Sequence, residues 1–506
     1  MSKHSRKLKR TAAVLAVLTR YGFGELMSRT RVQVEQPSNA LYERIRKVLE
    51  ELGPTFVKFG QAFSTREDLL PLGLVAELKK LQDSASPEDM DIRVVLADEL
   101  GVDPDVHFEQ IAPEPMASAS IAQVYRAWLK DGTPVILKVK RTGVREKMEA
   151  DLLILKDLVS FMVNYSDTLR KMNLMQVLEA FEKSVFQELS LTLELANIMQ
   201  FARNFKDQPD IYVAGVFAEL SNDQVLCMEY IDGIKINNRE ALMIAGLDPV
   251  VIAQRGLDLF LLQVLEHGFF HADPHAGNIL VLPNGNLSFI DFGAMGRMMP
   301  ADKTMLENFI LHFMAKDTRR LIATIKKMSL RFTIGDEQKL ERDLHGIFEM
   351  LDSSALKDLD VKAVFSRFSG ILNENEILMP DHLYLLVRGI VLMEGIGREL
   401  NPEMNVIQSV RPYLLKIVSH RLSPEHLMTK GIEQLRLLGE GISSLPEDLP
   451  ALIHKLNSGE LTTIQKISGL PELKKTLITG LNRVALAIVL AALMLAAVLY
   501  FLAQRN

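Results

Sequence analysis

Between residues 271 and 293 the chain carries two short polar runs, His271-Ala-Asp273-Pro-His275-Ala-Gly-Asn278 and Ile290-Asp291-Phe-Gly293, separated by an apolar stretch ending in Asn-Leu-Ser-Phe. Asp273 and Asn278 lie five apart. Asp291 comes eighteen residues after Asp273, at the end of a predicted strand. The types suggest a chemistry. One carboxylate can receive or orient a proton, while an amide oxygen and a second carboxylate suit Mg2+. Any fold for this chain must bring a loop and a strand end together here. Two other readings stay open. His271, Asp273 and His275 alternate as a transition-metal cluster would, although no further ligand group stands out. The run could also be a polar loop without chemistry.

The spacing and the strand–loop context match the kinase pattern H-R-D-x-x-x-x-N … D-F-G. Asp273 then orients the nucleophile, and Asn278 and Asp291 hold the metal. Upstream, Ala117-Ser118-Ala119-Ser120-Ile121-Ala122-Gln-Val124 overlays a glycine-rich phosphate loop with every glycine replaced by alanine. A Cβ at each position narrows φ/ψ and blocks the closest backbone approach, so nucleotide is expected in a different pose. Val135-Ile-Leu-Lys138 stands where kinases place V-A-I-K. A lysine closing a β-branched strand is better explained by a phosphate than by solvent. Its carboxylate partner is expected to be Glu194 rather than the nearer Glu149, with an inserted helical segment between. Glu229, Tyr230 and Ile231, at the junction of the two lobes, complete the nucleotide-binding set.

Lys58-Phe-Gly60-Gln61, followed by Ser-Thr-Arg-Glu-Asp-Leu-Leu-Pro, makes the resemblance specific. Together with the alanine loop and His-Ala-Asp-Pro-His-x-Gly-Asn, it resembles the AarF/UbiB family of atypical, protein-kinase-like proteins over roughly residues 40–300. The resemblance implies N-terminal helices folded over the active site, with Lys58 pointing into it and excluding peptide substrates. Lys58 sits between Val57 and Phe59 on an apolar helix, Gln61 shares its face and Gly60 permits close packing. The bland alternative is a snorkelling lysine. There are departures. The family's E-x-D pair reads Glu188-Leu-Ser190, so its second carboxylate is missing and a metal or nucleotide role at Ser190 is in doubt. No A-P-E motif follows Asp291-Phe-Gly293, and no hydroxyl residue appears before Thr304.

The rest of the chain bounds this reading. It has 506 residues, 48% of them apolar, and Gly and Pro number 29 and 20, which favours many helices over tight turns. A single cysteine, Cys227, excludes an intrachain disulfide and a zinc ribbon. Eight of the 58 Lys/Arg but only one of the 64 acids fall in residues 1–31, a basic arm suited to an anionic membrane surface or a nucleic acid, with a plain solvated tail as the alternative. The apolar run 12–18 sits at the short limit for a secretory signal, ends at Thr19-Arg20 and is followed by no A-x-A site, which argues against secretion. Residues 484–503 hold twenty uncharged residues, expected to be one transmembrane helix with the body left in the cytoplasm.

The expected fold is α+β: a bilobal protein-kinase-like fold with a strand-rich N-lobe, a helical C-lobe, helical N- and C-terminal regions and one C-terminal transmembrane helix. The divisions are a basic membrane-proximal arm over 1–40, a helical extension over 41–110 and an N-lobe with helical insertion over 111–231. A C-lobe core over 232–300, a helical region over 301–480 and the span over 484–503 complete them. The expected function is a membrane-anchored atypical kinase or ATPase using ATP and Mg2+. Its expected location is a bacterial-type inner membrane, and its partners membrane lipids rather than nucleic acid. The resemblance implies a link to ubiquinone or other isoprenoid-quinone biosynthesis, with quinone precursors or the proteins of that pathway as possible partners. A nucleotide-binding scaffold without catalysis and a metal-dependent hydrolase are the alternatives.

Overall fold

Helical periodicity near the start of the chain becomes a stack of helices: α1 (Lys3–Arg20), α2 (Asn39–Leu52), α3 (Pro54–Ser64), α4 (Leu72–Leu78), α5 (Ile92–Leu100) and the short α6 (Pro104–His107). Gly53, at φ +96°, turns the corner between α2 and α3 in a conformation other residues rarely adopt. Asp91 caps α5 by accepting from the Arg93 and Val94 amides, and Gly101 ends that helix in the left-handed region. The computed structural model describes residues 3–22, 39–64, 70–81, 86–101, 103–165, 174–333, 336–353, 361–404, 412, 413 and 415.

The alternating runs form an antiparallel sheet of β1 (Phe108–Ile111), β2 (Ala117–Ser118), β3 (Ala122–Leu129), β4 (Pro134–Lys140) and, after an interruption, β5 (Val225–Glu229). Its order is β1-β3-β4-β5, with β2 paired to β3. Period-two geometry does the sorting. Val135, Leu137 and Val139 bury on one face against Ile92 and Leu96 of α5. Lys138, between them, therefore faces the other way.

The interruption holds α7 (Val144–Tyr165), α8 (Leu174–Glu188) and α9 (Leu191–Asn204). α7 and α8 share one apolar core with the N-terminal helices, through Val48, Leu52, Phe56, Leu81, Met148 and Leu178. The extension and the insertion thus form a single helical body. Gly60 permits it: a Cβ there would lie 2.3 Å from a Leu81 methyl and 2.9 Å from Leu49. α1 joins through buried Val14 and through Arg10, which pairs at 2.5 Å with fully buried Asp151 of α7.

The C-lobe follows with β6 (Ile234–Lys235), α10 (Arg239–Ile244) and α11 (Pro249–Leu261), then β7 (Phe269–His271), β8 (Ile279–Val281), β9 (Leu287–Phe289) and β10 (Met295–Arg297). β6-β8-β9 and β7-β10 make two small antiparallel sheets. Beyond them lie α12 (Pro300–Met314), α13 (Thr318–Met328), α14 (Glu337–Ser353), α15 (Val361–Glu374) and α16 (Asp381–Leu400). One large core, including Phe201, Phe260, Phe289, Phe292 and Met393, ties α9 and α16 to the C-lobe.

Three expectations change. Among the described residues no helix is long and apolar enough to cross a membrane, so the described fold is corrected to one without the expected transmembrane helix. Residues 484–503, on which it was placed, lie outside the described residues, as do 416–480 of the helical C-terminal region. The segment 211–217, whose apolar and β-branched residues predict a strand, makes only single bridges, Ile211 to Leu287 and Val216 to Met228. β1 occupies residues read as helix or boundary; it is short and half-exposed, so its alternation is faint.

Candidate active site

Lys138 and Asp291 come from different lobes, and Glu194 joins them. The Lys138 ammonium lies 2.8 Å from both carboxylate oxygens of Glu194 and 3.4 Å from Oδ1 of Asp291. Lys138 stands in register with Val124 on β3 and Leu226 on β5, so the sheet fixes it from both sides. Glu194 lies in the first turn of α9, and its side chain is 2% exposed. Glu149 of α7 is not the partner.

Two carboxylates share one ammonium, Glu194 buried at 2% exposure and Asp291 open at 43%, and their protonation reflects it. Burial opposes the charge on Lys138, yet Asp291 and Glu194 together hold it above its ordinary value. Burial pushes Glu194 up to about 7, with Lys138 opposing and Asp291 adding to the rise. Asp291 moves the other way. Burial would raise it, but Lys138 and the Gly293 amide hold it well below the usual carboxylate range. With both acids ionised the triad is one charge negative, which suits a cation.

The backbone sets Asn278 beside Asp291: the Ile290 amide donates to the Asn278 carbonyl at 3.0 Å. A wide π turn over Leu262–His267 precedes the catalytic segment and ends at Gly268 in the left-handed region. Within it Gln263 accepts from the His271 amide at 2.8 Å. His271 is a strut. Its Nε2 lies 2.6 Å from the Asp291 carbonyl, to which it must donate, and its Nδ1 accepts from the Asp273 amide. Burial lowers its pKa, so the ring stays neutral. With both nitrogens engaged it has no lone pair for a metal, which removes the His-Asp-His cluster. Among the described residues no group of three or more His, Cys, Asp or Glu is arranged to hold a metal ion.

The alanine loop turns tightly, the Ala119 amide donating to the Ala122 carbonyl. Arg141 holds it, bonding the Ala119 carbonyl and the Ser118 hydroxyl at 2.8 and 2.7 Å. The Ser120 hydroxyl is buried at 3% exposure and has no partner among the described residues. A buried orphan hydroxyl in a loop preceding the lysine strand fits a phosphate oxygen, and Asp291 with Asn278 fits Mg2+. Ile121 and Ala122 are buried in the neighbouring helical core, and Val124 lies in β3. At the lobe junction the Glu229 carboxylate accepts from the Tyr212 hydroxyl and the Gly215 amide. Tyr230 stacks under Arg126, and Ile231 enters the C-lobe core. Glu229 thus spends its side chain on the fold.

Lys58 of α3 meets Glu188 at 2.5 Å, at the end of α8. Gln61 turns instead to the Leu81 carbonyl. Two residues on, Ser190 caps α9, accepting from the Leu193 amide and donating to Asp223 at 3.1 Å. Where the family carries a second carboxylate, Ser190 starts the helix that carries Glu194. Asp223 is also held by Lys140 at 2.8 Å.

Three participants escaped the sequence reading. Asn197 bonds the Phe292 carbonyl and is held in turn by Arg297. Asp223 anchors Ser190. Arg388 of α16 reaches Asp273 with Nη2 2.8 Å from Oδ2. The first two carry no motif. Arg388 lies 115 positions beyond its partner in a plain amphipathic helix.

Fold and site together define an atypical kinase-like protein. Residues 80–325 match the ABC1 atypical kinase-like domain, and residues 345–405 match the UbiB helical domain. The probable protein kinase UbiB of Azotobacter vinelandii is 33% identical over 429 residues, covering 83% of this chain and 79% of that protein. That of Shewanella halifaxensis is 32% identical, covering 80% and 75%. An uncharacterized protein of Synechocystis is 31% identical over 85% of this chain, which spans only 62% of that relative's length. A Mycobacterium tuberculosis protein solved with erythromycin aligns over 72% of this chain and 93% of its own, at 23% identity and TM-score 0.45. The chain belongs to the UbiB family of atypical kinase-like proteins.

Proposed function

We propose that this protein is a catalytically competent atypical kinase or ATPase taking Mg-ATP in the cleft around Lys138, Asp273, Asn278 and Asp291. The observation that carries the reading is the Lys138–Glu194–Asp291 triad. A scaffold has no need to hold buried Glu194 and half-exposed Asp291 against one lysine, because crowding two acids there costs stability unless a cation and phosphates complete the arrangement. Bound Mg2+ supplies charge neutralisation for the phosphates. Lys138 holds the non-transferred phosphates, Asn278 and Asp291 offer the oxygen ligands, and Asp273 orients the acceptor hydroxyl or water. Lys58, tied to Glu188, limits what reaches the cleft. A role in isoprenoid-quinone biosynthesis is part of this proposal and rests on family resemblance.

The test is ATP turnover by purified protein with and without a phenolic quinone precursor. Turnover that disappears in Asp291→Asn, with folding retained, supports an enzyme. Binding without turnover under every condition would favour a scaffold.

A further inference from the structure

Phosphoryl transfer is favoured by positive charge held against the oxygens of the moving group. On the donor side this chain has Lys138. On the acceptor side the segment His271–Asn278 contains no lysine or arginine. His275 is not a substitute, since its Nδ1 accepts from the Gly277 amide while it caps the following turn. Lys58 is taken by Glu188. Among the described residues Arg388 reaches the acceptor side, pairing with Asp273, and it comes from outside the kinase-like segment.

Its placement is built into the packing. α16 crosses the catalytic segment at Gly389, where a Cβ would lie 3.2 Å from the His271 carbonyl and 2.6 Å from the Phe260 ring. Glycine is required for so close an approach. The next residue back is Arg388, which meets Asp273 at 2.8 Å while keeping its side chain 43% exposed; Asp273 is 31% exposed. A guanidinium has five donors in a planar fork. One is used on Asp273 Oδ2, so others remain for an anion beside it.

We infer that Arg388 is a catalytic residue that contacts the transferred phosphoryl group, so that the UbiB helical domain completes the active site of the kinase-like domain. The inference rests on the proposed ATP chemistry. In that chemistry the γ-phosphorus bonds to the acceptor oxygen as its bond to the β–γ bridging oxygen breaks. ADP departs, and the acceptor's proton passes to Asp273. Arg388 touches Asp273 and the equatorial oxygens of the moving group at once, which places acceptor and phosphoryl in register.

The experiment compares binding of ADP and of a non-hydrolysable β,γ-imido ATP analogue, both with Mg2+, to full-length wild type, Arg388→Ala and Arg388→Lys. Only the analogue carries a γ-phosphate. Losing one charge-assisted contact should weaken the analogue by about tenfold or more in Arg388→Ala and leave ADP within about twofold. Arg388→Lys should recover part of the loss, and turnover should fall with the analogue's affinity. An unchanged analogue-to-ADP ratio in Arg388→Ala overturns the inference and leaves Arg388 an ion pair. An equal loss for both ligands, or a rise in turnover, also overturns it, as a strut or a lock would give those. If wild type binds neither nucleotide, the proposed function itself has failed, and the inference with it.

Discussion

Ser190 and Asp223 meet at 3.1 Å, the hydroxyl donating to the carboxylate while its oxygen accepts from the Leu193 amide. This small contact links two halves of the site. Lys58 and Glu188 close the chain just before it, and Glu194 and Lys138 follow one helical turn after it. The extension therefore reaches the start of α9, the helix that holds Glu194 against Lys138.

Ser190→Ala removes the N-cap of α9 and one partner of Asp223. Loss of a Ser cap costs about 1 kcal/mol, and a modest fall in melting temperature should appear with a weaker affinity for Mg-ATP. Full affinity with lowered stability would show that the cap does not position Glu194.

Removing Glu194 should hurt more. Glu194→Ala leaves the Lys138 ammonium with only Asp291 at 3.4 Å. Breaking a buried pair by removing one partner costs about 3 kcal/mol or more. Denaturant unfolding should show that loss, and Mg-ATP affinity should drop with it. A Glu194→Ala protein as stable as wild type would mean the pair is not formed in solution.

The acid pair also predicts a pH signature without nucleotide. Glu194 binds its proton more tightly folded than unfolded, with a folded pKa of about 7 against an ordinary 4.5. Its contribution to stability is therefore full below the ordinary value and lost as pH rises toward 7. His271, lowered by burial, acts oppositely, its contribution fading as pH falls below its ordinary 6.5. Comparing wild type with Glu194→Gln isolates the first effect. The stability of wild type relative to the variant should decline across the range from 4.5 to about 7. Parallel curves would contradict the assignment.

Lys58→Ala strands Glu188 and opens the space beside it, while Lys58→Arg keeps charge but not the compact ammonium. Both should change autophosphorylation or nucleotide preference, the alanine variant more strongly. If both match wild type in ATP affinity, turnover and autophosphorylation, Lys58 is an ordinary ion pair of the helical body.

Much of the site was legible because its chemistry is local. Asp273, Asn278 and Asp291 sit on short loops whose spacing is fixed by β7, β8 and β9. Lys138 stands out as a charge in an apolar strand. The choice of Glu194 over Glu149 was reachable because only α9 follows the insertion. What stayed hidden was long-range. Arg388 reaches Asp273 through a glycine contact that no periodicity reveals. Asp223 looks like a turn residue, and α1 looks like a loose basic arm until Arg10 finds Asp151. The run at 484–503 shows the converse: uniform hydropathy suggested a span, and no described helix supports one.

The most direct test is a titration of wild type and Asp291→Asn with ATP, with and without Mg2+. Asp291 accepts from Gly293 and faces Lys138, so the substitution preserves shape while removing the charge that would hold the metal. The account predicts Mg2+-dependent binding in wild type and loss of that dependence in Asp291→Asn, with the fold intact by melting temperature. Equal Mg2+-dependent affinity in the two proteins would contradict it.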